Sequence, residues 1–326
     1  MSVISGRGLS VRTIALGSVT ALAALAAVNQ QNAINAQRKY PPQGDFLRVR
    51  GVRLHKIDTG GPGPAVVLLH GNGVTSADME ISGLVARAAR RSRVVAFDRP
   101  GFGYSERPRG TVWSPAAQAD LLSAALERMG IEEAVVVGHS WASMVALALA
   151  LDHPRLVTGL VLMSGYYFPT PRSEAPLFAA PAIPVIGDAL RYTIAPLIGQ
   201  LIKNKVMRKL FSPQPVPHRF SAEFPTDLSL RPGQIRASSE ETALMVPSAA
   251  AHARRYSELP IPVTIMAGTA DKISDPHRQS ARLHDTIRHS HLILLPGIGH
   301  MLHHIVPDEV ADAIEAVGKS PGLPPI

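Results

Sequence analysis

The chain has 326 residues and no cysteine. That excludes disulfides, thiolate nucleophiles and cysteine-held zinc or iron–sulfur centres. Aromatic residues make up only 5% of the chain and charged residues 18%, whereas 46% are hydrophobic, a globular rather than disordered balance. The net charge is +8, yet the basic residues are spread: Arg87, Arg90, Arg91 and Arg93, then Arg107 and Arg109, then Lys203, Lys205, Arg208 and Lys209. A nucleic-acid surface needs them clustered, with aromatics interleaved. A solvated basic surface with no nucleic-acid partner is therefore expected, with attraction to an anionic membrane as the next option.

A long apolar run is also missing. The nearest is "IALGSVTALAALAAV", residues 14–28, which falls short of the about 20 residues that cross a bilayer as a helix. It follows Arg7 and Arg12, so three readings stand. It is an uncleaved signal anchor extended by Asn29 to Asn32, a signal peptide cleaved near Ala36, or an amphipathic tail. The first places residues 1–40 as a leader, with the rest of the chain expected outside the cytoplasm. The second gives a secreted or periplasmic protein. Arg38 and Lys39 on the far side weaken any assignment of orientation.

From residue 41 the pattern changes. "FLRVRGVRLHKIDTG" alternates on both sides of Gly51 and predicts an antiparallel hairpin. Short continuous apolar runs follow: "PAVVLLH", "RVVAFDRP", "EAVVVGHS", "VTGLVLMSG", "IPVTIMAGTAD" and "SHLILLPGIGH". Such runs suit strands buried on both faces. Helical patterns separate them over 76–91, 114–129, 141–151, 275–287 and 307–317. The fold class expected is α/β, a mostly parallel sheet with helices on both faces. Residues 165–256 interrupt the alternation. They are proline-rich, contain no clear strand, and are too long for a structureless loop. They read as an inserted helical lid, which divides the core into 41–164 and 257–326.

In a parallel sheet, reactive groups lie beyond the carboxyl ends of the strands. The residues that follow the strands are His70-Gly71-Asn72-Gly73, Asp98 to Ser105, Gly138-His139-Ser140-Trp141-Ala142, Gly268-Thr269-Ala270-Asp271 and Gly297-Ile298-Gly299-His300. A serine, an aspartate and a histidine thus follow three strands, in the order that a serine–aspartate–histidine triad takes on such a sheet. A serine hydroxyl is a poor nucleophile until an imidazole takes its proton. The imidazole in turn needs a carboxylate to fix its tautomer. A strained strand-to-helix turn at Ser140 needs small residues two positions before and after, and Gly138 and Ala142 meet that need.

Residues 41–318 resemble the α/β-hydrolase superfamily. "LLHGNG", "FDRPGFGYS", "VVVGHSWAS", "AGTADKIS" and "LPGIGHM" match its landmarks in order. The resemblance implies Ser140 as nucleophile, Asp271 as acid and His300 as base, with the backbone N–H groups of Asn72 and Trp141 as the oxyanion hole. "FDRPGFGYS" would shape a loop beside the site. The apolar leader with "RKYPPQGDF" resembles that of a group of bacterial members.

The implied activity is hydrolysis of a hydrophobic ester, thioester or lactone, with no cofactor; the expected partners are a small acyl compound and, through residues 14–28, a membrane, with the oligomeric state left open. The same triad also serves carbon–carbon bond hydrolysis, peptidase action and cofactor-free haloperoxidase chemistry. A ligand-binding member without catalysis, or a basic membrane-surface protein, are the other readings. Epoxide hydrolases and haloalkane dehalogenases of this fold use an aspartate where this chain has Ser140. Asp275 rivals Asp271, or caps the helix near Pro276. His303 and His304 rival His300 or suggest a metal cluster, but no nearby carboxylate in the sequence completes one. His139 is expected to pack and His70 to brace the oxyanion loop. Trp141 would also wall the acyl pocket, and Tyr166, Tyr167 and Phe168 either line it or fill the core. Gly71-Asn72-Gly73 lacks the lysine of a phosphate loop.

Overall fold

The structure, a computed structural model, describes residues 11–172 and 174–320, with side chains from Leu16 onward. Strands β1 (Asp45–Val49) and β2 (Val52–Asp58) form the hairpin, turning at Arg50 and Gly51, both at positive φ. The remaining strands are β3 (Ala65–Leu69), β4 (Arg93–Phe97), β5 (Ala134–His139), β6 (Val157–Met163), β7 (Val263–Gly268) and β8 (His291–Leu295). They form one eight-stranded sheet in the order β1-β2-β4-β3-β5-β6-β7-β8. The β1–β2 and β2–β4 pairs are antiparallel, and every pair from β4 to β8 is parallel.

The apolar runs lack polar alternation because both faces of the central strands are covered. Along β3, Val67 and Leu69 enter one core with Phe97, Val136 and Leu160. Val66 and Leu68 enter a second with Val94, Val137 and Val161. Helix α1 (Val11–Lys39) precedes the sheet; α2 (Ser76–Ile81) and α3 (Leu84–Ala88) follow β3, and α4 (Pro115–Arg128) and α5 (Ala142–Asp152) flank β5. Helices α4 and α5 cover the first face, α3 and the last helix the second. Ser114 caps α4 by accepting from Ala117 N at 3.2 Å, the N-cap bond that leaves one fewer orphan donor.

The 76–91 pattern is divided in two at Gly83, whose φ of +80° suits glycine. Between β6 and β7 the described residues form no strand, only loops, two short 3-10 turns (Ala180–Ala182 and Tyr256–Glu258) and α-helices. The α-helices are α6 (Ala175–Ala179), α7 (Ile186–Tyr192), α8 (Ile194–Phe211), α9 (His218–Glu223), α10 (Thr226–Ser229) and α11 (Pro232–His252). After β7 the 275–287 pattern resolves into a wide turn at His277–Ala281 and the short α12 (Arg282–Thr286). Helices α13 (Leu302–Ile305) and α14 (Pro307–Lys319) end the described chain.

The leader requires correction. Among the described residues no helix is long and apolar enough to cross a membrane, so a spanning anchor has no support. Nor is the second half of α1 a detached leader. Asn29 is 4% exposed and donates to Tyr192 O at 2.9 Å and Thr193 O at 2.6 Å. Tyr104 donates its hydroxyl to Tyr40 O, and Ala36 is buried. Cleavage after Ala36 would therefore cut within a packed segment. Arg7 and Arg12 lie outside the residues whose side chains are described.

Candidate active site

Strand β5 ends at His139, and α5 begins three residues later at Ala142. The turn between them puts Ser140 at φ +55°, a left-handed conformation that costs a non-glycine residue about 1–3 kcal/mol. The surroundings hold it there. Ser140 N donates to Met163 O on the neighbouring strand at 2.9 Å, and Ser143 Oγ donates to Gly138 O at 2.9 Å. A Cβ on Gly138 would stand 2.8 Å from Ser143 Cα and 2.9 Å from Ala142 O, so strand and helix approach too closely for a side chain at that position. Ala142 is fully buried, and its methyl fits.

Ser140 is half-buried, whereas His300 and Asp271 are buried behind it. His300 Nε2 lies 3.0 Å from Ser140 Oγ, and His300 Nδ1 lies 2.8 Å from Asp271 Oδ2. With Nδ1–H donated to the carboxylate, Nε2 keeps its lone pair toward the serine. The other carboxylate oxygen of Asp271 accepts from Ile273 N at 2.7 Å and Ser274 N at 3.0 Å. Burial alone would raise the Asp271 pKa. The His300 imidazole and these two N–H groups outweigh it and hold the carboxyl below its ordinary value. The structure thus brings together the serine, aspartate and histidine that follow β5, β7 and β8. Asp275 stands apart, where it accepts from His277 N at 2.9 Å and Arg278 N at 3.0 Å, an N-terminal cap.

The loop after β3 runs against the elbow. A Cβ on Gly71 would lie 3.2 Å from Ser140 Cβ and 3.0 Å from His139 Nδ1. The Asn72 amide donates to Ser238 O at 3.1 Å, which ties the loop to α11. His70 is fully buried. Its Nδ1–H donates to Gly71 O at 2.8 Å, and its Nε2 accepts from Arg99 N at 3.0 Å. Burial, aided by the Arg99 charge, lowers its pKa to about 3, so the ring is a neutral strut.

Arg99 joins these parts. Its side chain and that of Glu241 are 0% exposed and form a two-pronged ion pair. Arg99 Nε donates to His70 O at 2.7 Å, Nη2 to Gly71 O at 3.0 Å and Nη1 to Gln118 Oε1 at 3.0 Å. The guanidinium also stands over the Trp141 ring, 5.0 Å from its centroid, and Trp141 Nε1 donates to Glu241 O at 3.0 Å. One buried cation thus connects the loop of Asn72, the turn of Ser140 and helix α11.

His303 and His304 do not join the serine. Their Nε2 atoms lie 2.9 and 2.8 Å from the two oxygens of Asp78, so the sequence expectation that no carboxylate accompanies them is corrected. Burial would raise the Asp78 pKa, but the two imidazoles hold it well below the ordinary range. Asp78, His139 and His303 bring donor atoms within 4.8 Å of one another. Both Asp78 oxygens already accept imidazole N–H groups, so an ion there would have to displace a formed network. His139 packs against His300 and His303, at centroid distances of 5.0 and 4.5 Å. Burial keeps its pKa well below the ordinary value.

Tyr166, Tyr167 and Phe168 all enter the main core. The N–H groups of Tyr167 and Phe168 donate to Gln279 Oε1 at 2.7 and 2.8 Å. Sequence reasoning missed Arg99, Glu241, Gln118 and Asp78. Only the "FDRPGFGYS" landmark pointed toward the first. In that stretch Asp98 accepts from Ser76 N at 2.8 Å and Tyr104 N at 2.9 Å and lies 2.7 Å from His55 Nδ1, which fixes the loop's course.

Known proteins resemble this chain in part of the sequence and in fold. Over 138 residues the chain is 37% identical to a 2-hydroxymuconate semialdehyde hydrolase of Pseudomonas putida. That match takes in 42% of this chain and spans about half, 49%, of the relative. The solved epoxide hydrolase CorEH superposes with a TM-score of 0.70 at 21% identity, over 84% of this chain and 98% of that one. A solved meta-cleavage product hydrolase does so with a TM-score of 0.67 at 22% identity, over 85% and 98%. At these identities the structural likeness speaks for the fold alone. The model of the alpha/beta hydrolase fold family matches residues 64–305, about three quarters of the chain, from the strand before the Asn72 loop to beyond His300. The chain belongs to the α/β-hydrolase family.

Proposed function

We propose that the protein is a serine hydrolase that cleaves a hydrophobic ester, thioester or lactone through an acyl-enzyme on Ser140. The observation that carries this reading is the hydrogen-bonded line Ser140–His300–Asp271, with the serine held at positive φ. Ser140 Oγ adds to the substrate carbonyl while His300 Nε2 takes its proton. The oxyanion that forms faces the backbone N–H groups of Trp141 and Asn72, fixed dipoles that need no reorganisation. The adduct then collapses. The bond to the leaving group breaks, and that group takes the proton from His300. Water, deprotonated in turn by His300, adds to the acyl-enzyme and releases the acid and free Ser140. Asp271 stays ionised and stabilises the imidazolium in both halves. In this reading residues 165–256 act as a lid, since α11 contacts both the Asn72 loop and Trp141.

One specific observation favours a second reading, hydrolysis of a carbon–carbon bond with a carbon leaving group. It is the 37% identity to a 2-hydroxymuconate semialdehyde hydrolase. A fluorophosphonate probe and a substrate panel test both. Wild type is expected to label and Ser140→Ala is not; equal labelling, or none of wild type, overturns the serine mechanism. Turnover of p-nitrophenyl esters of rising chain length supports the first reading. Faster turnover of 2-hydroxymuconate semialdehyde than of any ester supports the second.

A further inference from the structure

The exposed large apolar side chains are not scattered. Outside α1 and the stretch from Leu177 to Val206, the only ones among the described residues are Phe46, Val112, Val246 and Leu294, isolated positions of the kind any surface has. On α1, every residue from Leu16 to Ala24 is exposed. This apolar helix therefore projects into solvent, although helices apolar on all sides are ordinarily buried. On α8, Ile194, Leu197, Ile198 and Leu201 are exposed at helical spacing, Leu201 by 84%. Val185, just before α7, is 80% exposed.

The two elements meet. Asn29 donates to the carbonyls of Tyr192 and Thr193, immediately before α8, and Ala33 and Ala36 line one groove with Pro196 and Leu197. The apolar half of α1 thus leaves the body where the apolar half of α8 starts. Charge then follows in order. Lys205 and Arg208 lie one and two turns beyond Leu201 on the same face, and both are exposed. Neither α1 nor α8 contains an acidic residue. The α1 helix is not long and apolar enough to cross a bilayer.

We propose that these two exposed apolar segments, joined near Asn29, dock on the surface of an anionic lipid bilayer, with the apolar halves of α1 and α8 among the acyl chains and Lys205 and Arg208 at the headgroups. Exposed apolar residues followed along the helix by basic ones, in a segment too short to span, suit a helix that lies at the interface with its cationic side chains reaching to the headgroups. Electrostatic attraction to anionic lipid contributes about a fivefold gain per basic residue near the surface. The docking is independent of the reaction assigned to Ser140.

Flotation of the full-length protein tests it, with vesicles of phosphatidylcholine and of equimolar phosphatidylcholine and phosphatidylglycerol. Wild type and Ser140→Ala are both expected to float, more completely on the anionic vesicles. Leu197→Glu with Leu201→Glu, at positions exposed enough to leave folding intact, is expected to lower the bound-to-free ratio at least about tenfold, since burying one leucine contributes a factor of that order. Lys205→Glu with Arg208→Glu is expected to erase the preference for anionic vesicles. Circular dichroism melts check that both double variants fold. Wild type that stays unbound overturns the proposal, as does a leucine double variant that floats like wild type. A dimer in light scattering that the leucine variant converts to monomer also overturns it, because a second copy then covers this face.

Discussion

Substituting Glu241 by leucine tests how the helical insertion is tied to the catalytic loops. In the native chain every N–H of Arg99 has an acceptor: His70 O, Gly71 O, Gln118 Oε1 and both oxygens of Glu241. Glu241→Leu removes the carboxylate that pairs with Arg99 and leaves a guanidinium at 0% exposure. Stranding one partner of a buried pair costs about 3–5 kcal/mol. At about 2 °C per kcal/mol for a large domain, the melting temperature should fall by roughly 6–10 °C. Arg99→Met combined with Glu241→Leu removes both charges at similar volume, and such replacements are close to neutral. The double variant should therefore recover most of the lost stability. It should not recover activity, because the carbonyls of His70 and Gly71 lose their donors and the loop carrying the Asn72 N–H is freed. Calorimetric melts and ester turnover read the two effects separately. A loss under about 1 kcal/mol for Glu241→Leu, or a double variant no more stable than the single, refutes this account.

Asp271→Asn should lower kcat by about 10⁴ by presenting the wrong His300 tautomer, whereas Asp275→Ala should cost only about 1 kcal/mol of capping, with kcat unchanged; steady-state kinetics and melts on both decide between the two carboxylates. Ala142→Gly should be tolerated. Ala142→Val should overpack the fully buried elbow by about 1–3 kcal/mol, and a thermal melt of the valine variant that matches wild type would sink the idea that the turn needs smallness. Stability should also fall in acid. His70 has its folded pKa lowered from 6.5 to about 3, so it is neutral in both states at neutral pH. Below pH 6.5 the unfolded chain takes up a proton that the folded chain refuses, and stability is lost progressively toward pH 3. The loss approaches about 5 kcal/mol in total at about 1.4 kcal/mol per tenfold change in proton affinity. Urea midpoints that stay flat from pH 7 to pH 4 would contradict this.

What the sequence made legible is what local pattern encodes. Seven apolar runs or alternations gave all eight strands: β3 to β7 are covered on both faces and must be apolar nearly throughout, β1 and β2 alternate, and β8 at the sheet's edge is apolar although only partly buried, not buried on both faces as its run suggested. The positions of Ser140, Asp271 and His300 followed because a parallel sheet collects whatever comes after its strands at one end, and the structure places His300 within hydrogen-bond reach of both the serine and the aspartate. Other features depend on partners far apart in the chain, which no local pattern marks. Arg99 and Glu241 are 142 positions apart, and each alone reads as an ordinary surface charge. Asp78 sits in a short helix 225 positions before His303, so the histidines seemed to lack a carboxylate. The leader shows the same limit from the other side. Its composition suggested a separate segment, but a single buried side chain, Asn29, makes its second half part of the body. A polar residue that breaks an apolar run reads as the end of a membrane segment. Here it satisfies two carbonyls at the start of α8, and it thereby fixes the direction in which the apolar half projects.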